Sequence, residues 1–544
     1  MNYVSDARRW IAADPDPATR AELTALVDAG DEGELARRFA HPLVFGTAGL
    51  RGPVMAGPAG MNRLSVRRAT QGVVVWLAEL GVAPSRGVVV GRDARRGSEA
   101  FNDEAVAVLL GAGLVVFEMP GPLPTPFVPY AVKQLGAAAG IMITASHNPP
   151  RDNGYKLYGA DGAQIVPPSD ERVEYYMARA GEPVLGDRSS PAHRVLDESL
   201  FTRYREHVVG RFGVGASELA ITYTPLHGVG GAPMTELFAA AGFSRVTRVE
   251  SQFAPDGAFP TLAFPNPEEP GALDLATERA DEVGSSLVIA NDPDADRLGV
   301  AVRTPSGWRV LRGDEIGWLL GDMLMAEARP GDVVATSLVS STMLSRIAEA
   351  AGVPCVTTLT GFKWISRAAG AGRLLFGYEE AIGFAVDPLV ADKDGLSAAL
   401  AICSLADRLA RDGATLLTRL DELEELYGVH SGGALSVRAE GEDGLARMGR
   451  ALVALTRDPP SELGGEAVTD VVDLAQGWHG LVTEGVLFAL ARGRVVVRPS
   501  GTEAKLKAYV ELVEDSGDDL AATRMRLAVS VADIVADLED RLRV

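Results

Sequence analysis

The stretch Gly140-Ile141-Met142-Ile143-Thr144-Ala145-Ser146-His147-Asn148-Pro149 decides how the chain is read. An apolar run without alternation breaks abruptly into hydroxyl, imidazole and amide side chains. Such a run reads as a strand buried on both faces, which is the habit of strands in parallel sheets covered by helices. Open α/β sheets bind their ligands at the carboxyl ends of strands, so Thr144–Pro149 is where chemistry is expected. The same alternation extends in both directions. Gly87–Val90 reads as a strand, Glu99–Leu110 as a helix and Leu114–Phe117 as a strand again. Further on, Leu219–Thr222 is strand-like, the glycine turn Gly228-Val229-Gly230-Gly231 follows, and Pro233–Ala241 looks helical. Leu287–Ala290 is a strand that runs into an acidic loop. Val333–Thr336 precedes a Ser-rich turn and the helix Met343–Ala350, and Leu374–Gly377 ends in Tyr378-Glu379-Glu380. This rhythm predicts βαβ units and an α/β fold with mixed, mostly parallel sheets.

Three α/β domains are expected, near 41–205, 206–322 and 323–433, with no strict repeat between them. Residues 1–40 read as an N-terminal helical extension. Trp10, Ile11, Leu23 and Leu26 recur at helical spacing, and Asp14-Pro15-Asp16-Pro17 interrupts them. The tail differs. Leu435–Val437 and Arg494–Val497 look like strands, Leu506–Val513 alternates, and Ala521–Leu542 reads as a last helix. A smaller α+β domain is expected over 434–544.

Composition narrows the function. The 544 residues are 47% hydrophobic and 23% charged, as in folded proteins. Lys and Arg number 52 against 73 Asp and Glu, a net charge of −21. Such a field opposes nucleic acid, so an anionic ligand must be held by a local cluster of cations. Two cysteines, Cys355 and Cys403, cannot build a disulfide scaffold or a Cys-rich zinc site, and a reducing cytoplasm fits them. No signal peptide is visible, and the longest apolar run, Ala105–Phe117, is too short to span a bilayer. No membrane partner is expected.

Four loops carry the chemistry. Ser146 could be an exposed nucleophile, although Thr144 and Asn148 exclude a G-x-S-x-G elbow. Alone, the loop reads more readily as a Ser/Asn turn capping a helix. In Asn291-Asp292-Pro293-Asp294-Ala295-Asp296-Arg297, an extended loop would point three carboxylates the same way, a hard oxygen site suited to Mg²⁺. Arg297 and Arg303 stand where an EF-hand counted from Asp292 needs Gly and Glu. The third region comprises Thr360-Gly361-Phe362-Lys363-Trp364 and Gly377–Gly383, where Glu379 could accept hydrogen bonds from sugar hydroxyls. It reads as well as an acidic helix start. In the fourth, Arg498-Pro499-Ser500-Gly501-Thr502, a guanidinium, hydroxyls and backbone N–H groups could form an anion nest, or the segment is a plain hairpin turn. The glycine turn lacks a full dinucleotide fingerprint. No Gly-Lys pair exists, so no P-loop is possible. His193, His207 and His479 are scattered and read as structural.

Taken in order, these loops resemble the α-D-phosphohexomutase superfamily of phosphoglucomutases and phosphomannomutases. The resemblance runs from Phe45-Gly46-Thr47-Ala48-Gly49-Leu50-Arg51-Gly52 to Thr502. With Asp152-Asn153-Gly154-Tyr155-Lys156 and Tyr378–Gly383, it is closest to the phosphoglucomutase-2-like branch, which includes phosphopentomutases and a sugar-bisphosphate synthase. The resemblance implies three related α/β domains and a smaller C-terminal domain around a central cleft. It makes Ser146 a phosphoserine, and Asp292, Asp294, Asp296 and that phosphate the ligands of one Mg²⁺. His147 and Lys156 would handle protons beside Arg51. Arg297, Gly361, Lys363 and Glu379 would contact the sugar phosphate. Arg498, Ser500, Gly501 and Thr502 would hold the phosphate that does not react. The partners are small sugar phosphates, with a sugar 1,6-bisphosphate as activator and intermediate. The oligomeric state is not legible. The leading expectation is interconversion of glucose 1-phosphate and glucose 6-phosphate. Mannose phosphates, pentose phosphates or synthesis of the bisphosphate are alternatives within the family. A metal-dependent phosphatase using Ser146, or a non-catalytic sugar-phosphate binder, are the rivals outside it. Ala381 stands where many relatives carry a sugar-contacting Ser, and Ala504 where Pro is expected.

Overall fold

The computed structural model describes residues 3–46, 49–438, 444–499 and 505–542. They fall into two compact units, Met1–Arg312 with Ala381–Arg408, and Gly313–Glu380 with Leu409–Val544.

The first unit opens with three helices, Tyr3–Ala13, Pro17–Ala29 and Glu32–Phe39. The break falls where the Asp-Pro repeat sits, because the Asp16 carboxylate caps the second helix at the Ala18 N–H and Pro17 takes its first position. Ala7, Trp10, Leu23 and Leu35 pack with Ala56 and Leu64 into a core of their own. Next come β1 (Leu50–Pro53), β2 (Val88–Arg92), β3 (Val116–Pro122), β4 (Ala139–Ile143), β5 (Asp152–Tyr158) and β6 (His193–Val195). They form one sheet in the order β1-β5-β4-β2-β3-β6. The pairs β4·β2, β2·β3 and β3·β6 are parallel, while β5 and β1 extend the sheet antiparallel. β4 is buried at every position, as an apolar run without alternation requires. The Ala105–Phe117 run is the end of helix Ser98–Gly111 leading into β3. Among the described residues no helix is long and apolar enough to cross a membrane.

A second sheet in this unit contains β7 (Ile221–Thr224), β8 (Val246–Arg248), β9 (Leu287–Ala290), β10 (Gly299–Thr304) and β11 (Gly307–Val310), in the order β11-β10-β9-β7-β8. β8, β7 and β9 are parallel; β10 and β11 are an antiparallel extension. β7 begins two residues later than its apolar run suggests. The Ser217 hydroxyl accepts the Leu219 N–H at 3.1 Å and makes that segment a turn.

The second unit holds β12 (Asp332–Ser337), β13 (Cys355–Thr358) and β14 (Arg373–Glu379), parallel in the order β13-β12-β14. Its C-terminal part is a wholly antiparallel sheet of β16 (Val429–Arg438), β17 (Glu462–Leu463), β18 (Glu466–Asp473), β19 (Val486–Leu490), β20 (Gly493–Pro499) and β21 (Lys505–Glu514). The helix Leu520–Arg541 covers it with Leu527, Val531, Ile534 and Leu538, one stripe at helical spacing. The remaining strand, β15 (Gly383–Ala385), belongs to the first unit.

Candidate active site

In the first unit, the chain leaves β4 through a tight turn. The Thr144 hydroxyl accepts the Ser146 N–H at 2.9 Å, and Asn148 N–H closes on Ala145 O at 3.0 Å. Ser146 is thereby held at φ 51, left-handed backbone that costs a non-glycine residue on the order of 1–2 kcal/mol. No helix follows, so Ser146 is not a helix cap. Its side chain is buried, and its Oγ donates to Asp292 Oδ2 at 2.7 Å.

Asp292 belongs to the loop after β9. That loop is a turn and not an extended segment. Ala295 N–H bonds Asp292 O at 2.8 Å, and Ala295 is itself left-handed at φ 54. The three carboxylates converge because the turn folds them inward, not because of strand alternation. Ligand oxygens of Asp292, Asp294 and Asp296 lie within 4.8 Å of one another, all on buried residues. The glycine turn after β7 supports this loop. A Cβ on Gly228 would lie 2.4 Å from Pro293 Cα, and Val229 N–H bonds Pro293 O at 2.9 Å. Gly395 approaches as closely from the other side, at 2.3 Å from Arg297 O to its would-be Cβ.

β5 delivers Lys156. Its Nζ donates to Asp294 Oδ2 and Asp296 Oδ2, each at 2.7 Å. Burial works against the ammonium, but the two carboxylates prevail and raise its pKa. Asp294 and Asp296 move the opposite way. Burial pushes them up, yet Lys156 holds Asp294 below its ordinary value, and Lys156, Lys393 and Arg297 do so for Asp296 against repulsion from Asp294. Asp292 is pushed well up by burial and by its two neighbours. Arg297 lies with its Nε 3.7 Å from Asp296 Oδ1, and its Nη1 donates to Ala381 O at 2.8 Å. Arg51, on β1, has its Nη1 3.4 Å from Asn148 Oδ1. Burial, then Arg297 and Arg51, depress His147 well below its ordinary value, so the imidazole is neutral at pH 7. Its Nδ1 is buried with no partner among the described residues.

In the second unit, Gly361 at φ 110 starts the single turn Phe362–Ile365 that carries Lys363. Glu379 ends β14, and the structure gives a turn there instead of a helix start. Arg498 lies on β20 against Lys507 of β21. Burial and then Glu380 push the Tyr509 phenol above its usual range, with Glu379 adding to the effect and the Arg498 guanidinium opposing it. The charges of Arg498, Glu379 and Glu380 are therefore all felt at Tyr509. Ser500, Gly501, Thr502 and Ala504 lie outside the described residues.

Comparison with known families agrees with this architecture. Segments 42–183, 202–307 and 312–427 match phosphoglucomutase/phosphomannomutase alpha/beta/alpha domains I, II and III, and 458–528 matches the C-terminal domain. The chain belongs to the phosphoglucomutase/phosphomannomutase family. Similar proteins include a probable phosphomannomutase of Haemophilus influenzae, 38% identical over 83% of this chain and 93% of its own. A probable phosphoribomutase of Schizosaccharomyces pombe is 36% identical over 92% of each chain. Among solved structures, a putative phosphomannomutase from Thermus thermophilus shares the fold at a TM-score of 0.70, with 24% identity over 92% of this chain and 99% of its own.

The enzyme is thus a mutase, an intramolecular phosphotransferase, and its acid triad fits a metal site. Among the described residues, Asp294 Oδ1 and Asp296 Oδ1 are buried without a hydrogen-bond partner. Buried carboxylate oxygens left unpaired are costly, and a hard cation with oxygen ligands satisfies them. Lys393 and Tyr509 of this mutase are among the side chains that the sequence did not single out. Lys393, 4% exposed, puts its Nζ 3.5 Å from Asp296 Oδ2. The only local signal is Asp392-Lys393-Asp394-Gly395 ahead of the buried helix Gly395–Arg411. Tyr509 sits on an alternating strand that announces nothing.

The mutase also carries a titratable group next to Glu379. Glu380 accepts from the Ser337 and Ser340 hydroxyls at 3.2 and 3.1 Å. Burial, Glu379 and Asp314 raise its pKa from 4.5 to about 7. Folding therefore favours the protonated acid, and stability is lost as pH rises from 4.5 towards 7. The expected loss is at most about 3 kcal/mol. Glu380→Gln should flatten this slope, read as urea midpoints at pH 5 and pH 8. An unchanged slope would assign it to another group.

Proposed function

We propose that this mutase interconverts glucose 1-phosphate and glucose 6-phosphate through a phosphoserine at position 146 and a bound sugar bisphosphate. The observation that carries the reading is the Ser146 Oγ bonded at 2.7 Å to Asp292 of a buried acid triad, with Lys156 locked onto the other two carboxylates. Phosphoryl transfer depends chiefly on positioning and charge neutralisation. In the first half-reaction the phosphoryl group leaves Ser146 Oγ for the free hydroxyl of the sugar monophosphate, whose proton passes to a base. Neutral His147 is suited to take it. Lys156, held charged, is suited to neutralise charge or to return a proton to Ser146 Oγ. The bisphosphate then turns end for end and gives its other phosphoryl group back to Ser146. Phosphate is conserved.

In this reading, region 41–205 supplies the phosphoserine and 206–322 the metal ligands, while 323–433 reads the sugar and 434–544 holds the second phosphate. Asp292, Asp294, Asp296 and the phosphate on Ser146 would bind one Mg²⁺, which supplies charge neutralisation on the transferring group. Arg51 and Arg297 add fixed positive charge there. Gly361, Lys363 and Glu379 are assigned to the sugar phosphate, and Arg498, with Ser500, Gly501 and Thr502, to its non-reacting end.

A second reading, pentose 1-phosphates, is favoured by Ala381 and by the relative named a phosphoribomutase. Ala381 has no hydroxyl to leave unpaired, whereas a site that hydrogen-bonds a hydroxyl rejects its absence by roughly 10⁴-fold. Discrimination is therefore expected to be looser than that. Glucose 1-phosphate should lead, with measurable turnover of mannose and ribose 1-phosphates. The test is kcat/KM for the three sugars, each with and without bisphosphate, in the native enzyme and in Ala381→Ser. Ribose ahead of glucose would install the second reading. Stoichiometric release of inorganic phosphate would replace both with a phosphatase.

A further inference from the structure

Ser146 takes a backbone conformation that a serine does not hold unaided, and the loop that carries it has an unusual underside. Arg95, 4% exposed, lies there with both terminal nitrogens of its guanidinium aimed at backbone carbonyls. Nη2 donates to Ser146 O and Asn148 O at 2.6 Å each. Nη1 donates to Pro149 O at 2.9 Å and Asp152 O at 3.2 Å. One planar fork thus gathers four carbonyls from a single loop.

Arg95 is itself fixed on three sides. Asp93 Oδ2 lies 3.4 Å from its Nε, and Asp93 Oδ1 is anchored by the Ser98 hydroxyl at 2.5 Å and the Arg95 N–H at 2.9 Å. The Phe259 ring stacks 4.8 Å from the guanidinium carbon. Gly257 leaves room behind, since a Cβ there would come 2.9 Å from Arg95 Cα. Burying a guanidinium is expensive, and four bonds to carbonyls offset that only while the loop keeps its present shape. The planar trans peptide that turns the Ser146 carbonyl onto Arg95 turns the His147 N–H the other way.

We propose that Arg95 is a positioning residue for phosphoryl transfer. By holding the carbonyls of Ser146, Asn148, Pro149 and Asp152, it sets the left-handed turn at Ser146 and the direction of Oγ towards Asp292. It thereby sets the rate at which the phosphoryl group enters and leaves Ser146. The inference rests on Ser146 being the phosphoryl carrier. Arg95 bonds no carboxylate of the triad, so substrate affinity and metal affinity should be nearly independent of it. Lysine keeps the charge but cannot reproduce the fork.

The experiment compares wild type, Arg95→Lys and Arg95→Ala. It reads phosphate on Ser146 by intact mass, Mg²⁺ affinity by calorimetry, thermal stability, kcat and KM. A misplaced nucleophile costs roughly 10²-fold. Expected is a kcat lowered by about that factor in both variants per folded, phosphorylated molecule, with KM and Mg²⁺ affinity changed less than about threefold. Added guanidinium ion should recover part of the activity of Arg95→Ala, which a purely structural defect would not allow. If Arg95→Ala does not fold, Arg95→Lys decides alone. A kcat within about threefold of wild type, or a loss confined to thermal stability, overturns the proposal. Wild-type enzyme that lacks phosphate on Ser146 and tolerates Ser146→Ala would instead sink the Ser146 reading, and this proposal with it.

Discussion

Ser146→Ala is expected to lower kcat by roughly 10⁶-fold, the scale seen when a nucleophilic serine is removed. The fold should survive. The substitution deletes one hydrogen bond, to Asp292 Oδ2 at 2.7 Å, and leaves the turn to Thr144 and Arg95. A change of about 1 kcal/mol in unfolding free energy is expected. Intact mass should show a labile phosphate on the wild-type chain and none on the variant, and incubation with sugar bisphosphate should restore it only to the wild type. A variant that turns over normally would end the phosphoserine mechanism. A variant that is dead while the wild type carries its phosphate elsewhere would move the nucleophile.

Removal of the divalent cation should be nearly as severe. Lewis-acid stabilisation of a transferring phosphoryl group is worth several kcal/mol, about 10³-fold in rate. Chelation should therefore abolish turnover, and Mg²⁺ should restore it. Asp294→Asn tests the ligand set. Asp294 Oδ2 already accepts from Lys156 and Thr125, at 2.7 and 2.6 Å, so Oδ1 is the oxygen left for a cation. The amide weakens that ligand and leaves Lys156 its second partner, Asp296. Calorimetric titration should show weaker Mg²⁺ binding by a chain that still unfolds cooperatively. A rigorously metal-free enzyme with normal turnover would refute the cation's role.

Asp292, Asp294, Asp296 and Ser146 were legible because each stands at the end of a short, fully apolar strand. A polar, turn-forming segment that follows such a strand has nowhere to go but the carboxyl edge of a sheet. The C-terminal change to an α+β domain was legible for a similar reason, since Leu506–Val513 alternates as a one-sided strand does; that its sheet is wholly antiparallel only the strand pairing shows. The shape of the acid loop was not. An alternating Asp pattern fits an extended segment as well as a turn, and only the close backbone approach at Gly228 and Gly395 selects the turn.

Long-range pairing decided the remainder. Lys156 meets Asp294 across 138 residues of sequence, and no periodicity encodes that distance. Nothing in the local sequence singles out Lys393 or Arg95. Burial makes them significant, because a desolvated cation must be satisfied by whatever the fold places around it. For Lys393 that is Asp296 and Asp392, and for Arg95 it is four carbonyls of the serine loop. By itself, the sequence determined which residue types stand at the strand ends. The tertiary structure decided which of them share a low-dielectric space, where their charges and protons become interdependent.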